Sequence, residues 1–167
     1  MELIVTTHYD ELSLRAADRV LDVVRQKPNA VLVLATGNTP VGAYREIARR
    51  VQSGEADLRQ AQIVELDEYW GIPLDDERNL FRWLQSELLD AADIPPENVL
   101  RFHSDAGDAE AEISRYEGAL AAKGGIDLQV LGLGLNGHIA FNEPGTAFDT
   151  RTQVIDLAPE SLVSNAG

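Results

Sequence analysis

At residues 31–40 the sequence reads VLVLATGNTP. The first five residues, Val31 to Ala35, are all apolar, as expected for a strand that is buried on both faces. Gly37 then permits an unusual backbone angle, and Thr39 can cap a helix whose first residue would be Pro40. A buried strand that passes directly into a helix favours a parallel α/β sheet.

Strand and helix patterns alternate along the rest of the chain. Strands are expected at residues 3–6, 31–35, 63–66, 99–102, 126–134 and 152–156. Helices are expected from the Asp10 cap to the break at 27–29, and then at residues 40–51, 78–89 and 109–122. The alternation predicts an α/β fold with an open, mostly parallel, Rossmann-like sheet that has helices on both faces. Functional sites in such folds lie where strands end and lead into loops.

Composition narrows the class of protein. The chain has 167 residues, which suits one domain, and its 14 basic and 28 acidic side chains give a net charge of −14. Nucleic acids and anionic membranes attract basic surfaces, so neither is an expected partner. There is no cysteine, which excludes disulfides, zinc–thiolate sites and cysteine nucleophiles. No apolar run is long enough for a membrane span, and we expect a cytoplasmic protein.

The loop Thr36-Gly37-Asn38-Thr39 is a candidate anion site. A strand that stops before a helix start leaves free backbone N–H groups beside two hydroxyls, at the positive end of the helix dipole. It is not a Walker loop, because no Gly-Lys-Ser/Thr follows. An ordinary capped turn explains the same residues and stays open.

A second loop contains Asp67 and Glu68 at the end of the strand expected at 63–66. A carboxylate in this position is partly desolvated, so its pKa should rise and it can serve as a base. Tyr69 and Trp70 would shield it from water. The alternative is a solvated acidic loop whose aromatic side chains face the core.

The third loop, residues 132–145, reads GLGLNGHIAFNEPG. A dinucleotide-binding fingerprint is rejected, because the Glu-Pro-Gly break prevents a helix from following. An Asn-Gly hairpin turn is a second interpretation. The functional one presents His138 near Asn136, Asn142 and Glu143, as a histidine that a carboxylate orients for general acid–base work. No metal-ligand spacing is present, so no metal is expected.

Taken together, the three loops resemble those of the glucosamine-6-phosphate deaminase family. The order and spacing of the loops fit, and the Phe-Asn-Glu-Pro continuation distinguishes them from the related 6-phosphogluconolactonases. The resemblance extends over the whole chain and implies a single sugar-phosphate deaminase/isomerase domain at residues 1–167. The matching segments are residues 34–40, 66–71 and 132–145.

The resemblance implies an aldose–ketose isomerase/deaminase. Such an enzyme converts glucosamine 6-phosphate and water to fructose 6-phosphate and ammonia, in amino-sugar catabolism and N-acetylglucosamine utilisation. We therefore expect a hydrolase that binds a small amino-sugar phosphate and needs no cofactor. A homo-oligomer is compatible with this interpretation.

Residue roles follow from the resemblance. His138 would help to open the sugar ring, Asp67 would move a proton between C2 and C1, and Glu143 and Asn136 would orient His138. The substrate and its phosphate would be bound by Thr36, Gly37, Asn38, Thr39, Glu68 and Gly137.

The chain departs from the family pattern at two places. Asn136 stands where many members carry an aspartate, which would tune the histidine without abolishing its orientation. Members also supply an arginine and a lysine to the phosphate from their C-terminal part, and Gly167 stands where the arginine would be. We therefore expect the fold to lack its C-terminal part.

Two other functions remain open. One is an isomerase or deaminase acting on galactosamine 6-phosphate or another sugar phosphate. The other is a non-catalytic sugar-phosphate-sensing domain, which would keep the loop at 36–39 but would not need Asp67, His138 and Glu143 together.

Overall fold

A four-stranded parallel sheet forms the centre of the computed structural model, which describes residues 2–159 and 161–162. The strands are β1 (Val31–Leu34), β2 (Gln62–Glu65), β3 (Val99–Leu100) and β4 (Leu128–Gln129), in the spatial order β3-β2-β1-β4. Every pair is parallel. The open α/β class expected from the sequence is confirmed.

Helices cover both faces of this sheet. They are α1 (Tyr9–Gln26), α2 (Val41–Gln52), α3 (Leu80–Leu84) and α4 (Ala109–Ala122); a π-helical turn (Gln85–Leu89) continues α3, and a short 3₁₀ helix (Pro96–Asn98) precedes β3. Leu32 and Leu34 of β1 pack with α1, α2 and α3, whereas Val31 and Val33 pack with Tyr116 of α4. Alternate residues of a strand point to opposite faces, so β1 is apolar at every position.

Side-chain caps set the start of three helices, α4, α1 and α3. Asp108 Oδ1 accepts the N–H groups of Glu110 at 3.0 Å and Ala111 at 3.2 Å, and α4 has the bounds expected from the sequence. α1 is capped by His8, whose Nδ1 accepts the N–H of Glu11 at 3.3 Å, and not by Asp10. A ring nitrogen can accept the free N–H of a first turn as an oxygen does.

The expected capping of α2 by Thr39 is wrong. Pro40 occupies the capping position, and no side chain caps this helix. The helix expected at 78–89 is interrupted: it begins after Asn79, whose Oδ1 accepts the N–H of Arg82 at 2.9 Å, and turns π-helical at Gln85.

Two expected strands are absent in the described part of the chain, and two others are shortened to two residues each. Residues 3–6 and 152–156 are irregular. β3 covers two of the four residues expected at 99–102, and β4 covers two of the nine expected at 126–134. Apolar sequence forms a strand only where another strand satisfies its backbone N–H and C=O groups, and β4 pairs with β1 alone.

The stretch 163–167, which carries the comparison of Gly167 with the family arginine, lies outside the described residues. None of the helices in residues 2–159 and 161–162 combines the length and apolar character needed to cross a bilayer.

Candidate active site

The carboxyl ends of β1, β2 and β4 meet at one edge of the sheet. Leu34 of β1 lies opposite Glu65 of β2, and Val33 lies opposite Gln129 of β4. The N–H of Val130 also donates to Val33 O at 2.9 Å. The three loops singled out from the sequence therefore leave the sheet side by side.

The loop at 36–39 presents unused hydrogen-bonding groups. Gly37 has a φ of +91°, a conformation that favours glycine. Within the described residues, the N–H groups of Thr36 to Thr39 donate to no acceptor. Gly37, Asn38 and Thr39 are exposed and Thr36 is half-buried, so a ligand can reach this loop.

The hydroxyl of Tyr9, in α1, forms hydrogen bonds with this loop, a role that the sequence did not indicate. Its hydroxyl lies 2.9 Å from Thr39 O and 3.2 Å from Asn38 O, and it accepts the N–H of Gly42 at 2.9 Å. One N–H at the start of α2 is therefore already taken by a protein group. The 29 to 33 residues between Tyr9 and these partners leave no spacing signal.

Helix α1 approaches α2 closely at Gly42. A Cβ atom at this position would lie 2.2 Å from Ser13 Oγ and 2.9 Å from Ser13 Cβ. Because real side chains do not come that near, only glycine allows Tyr9 to reach the loop in this geometry.

Asp67 follows β2 and lies partly buried at the centre of this edge. Burial, and then the charge of Glu68, raise the pKa of Asp67 to about 7. In the described part of the chain its carboxylate accepts no hydrogen bond. The raised pKa agrees with the expectation from the sequence, and the role of Asp67 as a base stays a prediction.

The carboxylate of Glu68, which was expected to bind substrate, accepts hydrogen bonds from the protein backbone instead. Its carboxylate accepts N–H groups from Tyr69 at 2.7 Å, Leu80 at 3.0 Å and Phe81 at 3.1 Å. These bonds fasten the loop after β2 to the start of α3. The arrangement favours a supporting role for Glu68 over direct contact with a ligand.

His138, Asn136 and Glu143 form one hydrogen-bonded chain. Asn136 Oδ1 lies 2.8 Å from His138 Nδ1, and Asn136 Nδ2 donates to Glu143 Oε2 at 2.9 Å. Asn136 Oδ1 also accepts the backbone N–H of His138 at 3.0 Å. Because an amide oxygen only accepts, Nδ1 carries the proton and Nε2 is left with its lone pair.

Ser161 completes this chain and was missed in the sequence. Its hydroxyl is buried and lies 3.2 Å from His138 Nδ1. Hydrogen bonds from Ser161, the N–H of Ala158 and Asn136 hold the pKa of Glu143 below its usual range. The 23 residues between Ser161 and His138 carry no local pattern, so only the folded chain reveals the contact.

The turn at 134–138 is a hairpin, but not the type I′ turn that an Asn-Gly pair favours, because Gly137 has a positive φ and Asn136 does not. The N–H of Gly134 donates to His138 O at 2.8 Å, and the N–H of Gly137 donates to Gly134 O at 2.9 Å. Gly137 has a φ of +92° and uses its N–H within the turn, which favours a conformational role for it over substrate binding. A hairpin that presents His138 is compatible with the functional interpretation, which stays a prediction.

A ring contact joins the second and third loops. The rings of Tyr69 and Phe141 lie 5.2 Å apart between centroids. Tyr69 is two residues after Asp67, and Phe141 is three after His138, so this contact brings the carboxylate and imidazole segments to the same side of the molecule. Tyr44, whose hydroxyl donates to Ala35 O at 2.6 Å, also lies near Asp67.

The edge thus brings together a carboxylate, an imidazole with one free nitrogen, and a loop of free N–H groups. It can move protons on a small anionic molecule. Among the described residues, no group of three or more histidine, aspartate or glutamate side chains is placed to hold a metal ion.

A parallel α/β domain with acid–base groups and an anion loop at its strand ends is typical of enzymes acting on small phosphorylated molecules. The family model described as Glucosamine-6-phosphate isomerases/6-phosphogluconolactonase matches residues 6–158. The chain belongs to this family.

Curated relatives point to one branch of it. Glucosamine-6-phosphate deaminases of Lysinibacillus sphaericus and Geobacillus sp. are each 40% identical over 166 residues, which cover 99% of this chain and 70% and 66% of theirs. A solved monomeric glucosamine-6-phosphate deaminase is 39% identical with a TM-score of 0.96, over 99% of this chain and 69% of that one. The 6-phosphogluconolactonase of Thermotoga maritima is 26% identical with a TM-score of 0.69, over 83% and 62%.

These comparisons correct one expectation. The relatives at 40% identity are named for removal of an amine, and the isomerase part of the family name describes a rearrangement of the sugar. The names describe a deaminase and an isomerase, so the hydrolase class expected from the sequence is wrong.

Proposed function

We propose that this chain carries the active site of a glucosamine-6-phosphate deaminase, which converts glucosamine 6-phosphate and water to fructose 6-phosphate and ammonia. One observation carries the proposal: Asp67, with a pKa near 7, shares a sheet edge with the chain that links His138 to Glu143. The deaminase relatives at 40% identity support the choice of substrate.

The phosphate is bound at the loop of residues 36–39. Its free N–H groups and the threonine hydroxyls offer donors to a dianion at the start of α2. With a net charge of −14, the chain does not attract the substrate at long range, so short-range donors supply the binding. Further cations from the part of the relatives beyond this match would complete the site.

His138 acts first, at the ring oxygen. Its Nε2 is free within the described residues, while Asn136 and Glu143 fix the opposite side of the ring. The imidazole can then pass a proton between the C1 hydroxyl and the ring oxygen as the sugar opens. The carboxylate of Glu143 stabilises the imidazolium formed on the way.

Asp67 then moves the proton on carbon. It removes the proton from C2 while the C1 oxygen takes up a proton, which gives an enolamine. It then returns a proton to C1, which gives an imine at C2; water adds to C2 and ammonia leaves. A proton on carbon is weakly acidic, which requires a fixed base stripped of water. The unpartnered, partly buried carboxylate of Asp67 meets that requirement.

Ammonia release from glucosamine 6-phosphate tests the proposal. Asp67→Asn should lower kcat by about 10³-fold, the scale expected when a general base is lost. Asp75→Asn, at an exposed position of the same connection, is the matched control and should keep full turnover.

Normal turnover by the Asp67→Asn variant would contradict the role of Asp67. Saturable binding of the sugar phosphate with no ammonia release would favour the sensing domain. Faster turnover of galactosamine 6-phosphate would favour that epimer as substrate.

Assembly and location are the remaining parts of the proposal. The deaminase with the TM-score of 0.96 is described as monomeric, which supports a site that needs no residue from a second copy of the chain. A cytoplasmic location stays a prediction from composition.

A further inference from the structure

Glu65, the last residue of β2, is a fully buried carboxyl group that the proposed reaction does not use. It is 0% exposed. Its Oε2 accepts the N–H of Phe102 at 2.7 Å. Its Oε1 is buried and has no hydrogen-bond donor among the described residues.

The groups around Glu65 offer no compensating positive charge. Asp67 and Glu68 face it from the loop after β2. The α4 residue Tyr116 donates its hydroxyl to the backbone oxygen of Glu65 at 2.5 Å, and α2 contributes Tyr44 near Asp67. In the described part of the chain, no lysine, arginine or histidine forms an ion pair with Glu65.

A charged Glu65 would therefore be strongly disfavoured. An ionised carboxylate that is buried without a cation loses its hydration, and a buried oxygen without a donor adds a further cost. Burial and the charge of Glu68 raise the pKa of Glu65 well above its usual range. Protonation removes the buried charge. It also gives the buried oxygen a hydrogen-bond partner, because the O–H can donate to the neighbouring carboxylate of Glu68.

We propose that Glu65 is a positioning residue, buried as the neutral acid, which accepts from Phe102 and donates to Glu68. Glu68 in turn holds the N–H groups of Tyr69 and Leu80. Asp67 stands between these two glutamates in the sequence, so their hydrogen bond fixes the segment that carries the base. Its effect on turnover rests on the proposed function, whereas its protonation does not.

A neutral Glu65 also keeps the pKa of Asp67 from rising further. Burial and Glu68 are the causes that raise the pKa of Asp67. A second buried negative charge at Glu65 would raise that pKa further and reduce the fraction of Asp67 that is ionised at neutral pH.

Substitution by glutamine and by methionine separates hydrogen bonding from packing. Glu65→Gln keeps one acceptor for Phe102 and one donor for Glu68 at every pH. Glu65→Met has similar length but offers neither. We expect Met to lower kcat by about tenfold and to shift the acid limb of the pH–rate profile, and Gln to restore both. Glu77→Gln, at an exposed position, is the control.

Urea unfolding between pH 4 and 8 tests the protonation without any turnover. A folded pKa above the unfolded value gives stability that is present at low pH and lost as pH rises. The urea midpoint of Glu65→Gln should therefore equal that of the parent near pH 4 and exceed it increasingly toward pH 8. A gap that stays constant with pH would overturn the proposal.

If a variant does not fold, the carboxyl ¹³C chemical shifts of the glutamates in the unmodified chain test the protonation of Glu65 instead. One glutamate should keep the shift of a protonated acid well above pH 5, and ordinary titration of every glutamate would overturn the proposal. If neither parent nor variants release ammonia while these results hold, the proposed function fails and the state of Glu65 stands.

Discussion

At the scale of single residues, two glycines of the third loop differ in what surrounds them. A Cβ atom on Gly134 would lie 2.2 Å from the His138 ring, whereas a Cβ atom on Gly132 would meet nothing within 4 Å. Neither glycine has a positive φ. The imidazole therefore packs directly against the backbone at Gly134, which sets its position.

This contrast gives a matched pair of variants. Gly134→Ala should displace the ring from Asn136 and lower kcat by about 10²-fold, because proton transfer depends on fixed geometry. Gly132→Ala should keep kcat near the parent value. Equal activity of the two variants in the ammonia assay would contradict the packing argument.

The partly buried carboxylate of Asp67 links activity to stability. Its pKa is raised from 3.8 to about 7, so kcat/KM should rise as the pH passes through 7 and the base becomes ionised. The free energy of unfolding changes in the opposite direction. The stability contributed by protonated Asp67 is fully present below pH 3.8 and is lost as the pH rises through 7.

The Asp67→Asn variant tests the direction of this change in stability with pH. The variant should be more stable than the parent at pH 8, by at most about 4 kcal/mol from the size of the shift, and equal to it near pH 3.8. Denaturant unfolding at the two pH values measures this. A variant that is less stable at pH 8 would show that the charge is compensated in the folded chain.

At the scale of elements, α1 supports the start of α2 through one hydroxyl. Tyr9 accepts from Gly42 and reaches the carbonyl oxygens of Asn38 and Thr39. Because Asn38 and Thr39 belong to the proposed phosphate loop, we expect α1 to influence the shape of that site.

Tyr9→Phe tests this support. Loss of the hydroxyl frees Gly42 N–H and loosens the loop, so KM for the sugar phosphate should rise about tenfold with a smaller change in kcat. Leu14→Ala, at an exposed position of the same helix, is the control. An unchanged KM in steady-state kinetics would remove Tyr9 from the binding machinery.

At the scale of the whole molecule, the net negative charge and the exposed apolar side chains have opposite effects on association between copies of the chain. The net charge is −14, while Leu133, Leu135 and Phe148 beyond β4 are 77%, 104% and 109% exposed. Like charge keeps copies apart, and exposed apolar surface draws them together.

Salt should therefore shift the balance toward association. Raising the ionic strength from 0.01 M to 1 M shortens the Debye length from about 30 Å to about 3 Å. Sedimentation should show larger species at high salt, and Phe148→Ser should reduce them more than Leu3→Ser, an exposed position elsewhere. A salt-independent size would contradict this expectation.

The sequence by itself determined those features that depend on local chemistry. Val31–Leu34 form a buried strand because an uninterrupted apolar run suits both faces of a parallel sheet. The helix α4 begins where expected because the Asp108 side chain caps its first turn. The sites of the three loops followed from the rule that parallel strands end at one edge.

Only the tertiary structure decided the features that depend on distant partners. β4 is short because pairing with β1 limits it, and no run of apolar residues reveals that limit. Tyr9, Ser161 and Glu65 each contact a group 23 to 37 residues away in the sequence. Hydrogen bonds and desolvation depend on proximity in space, so they could be assigned only once the chain was folded.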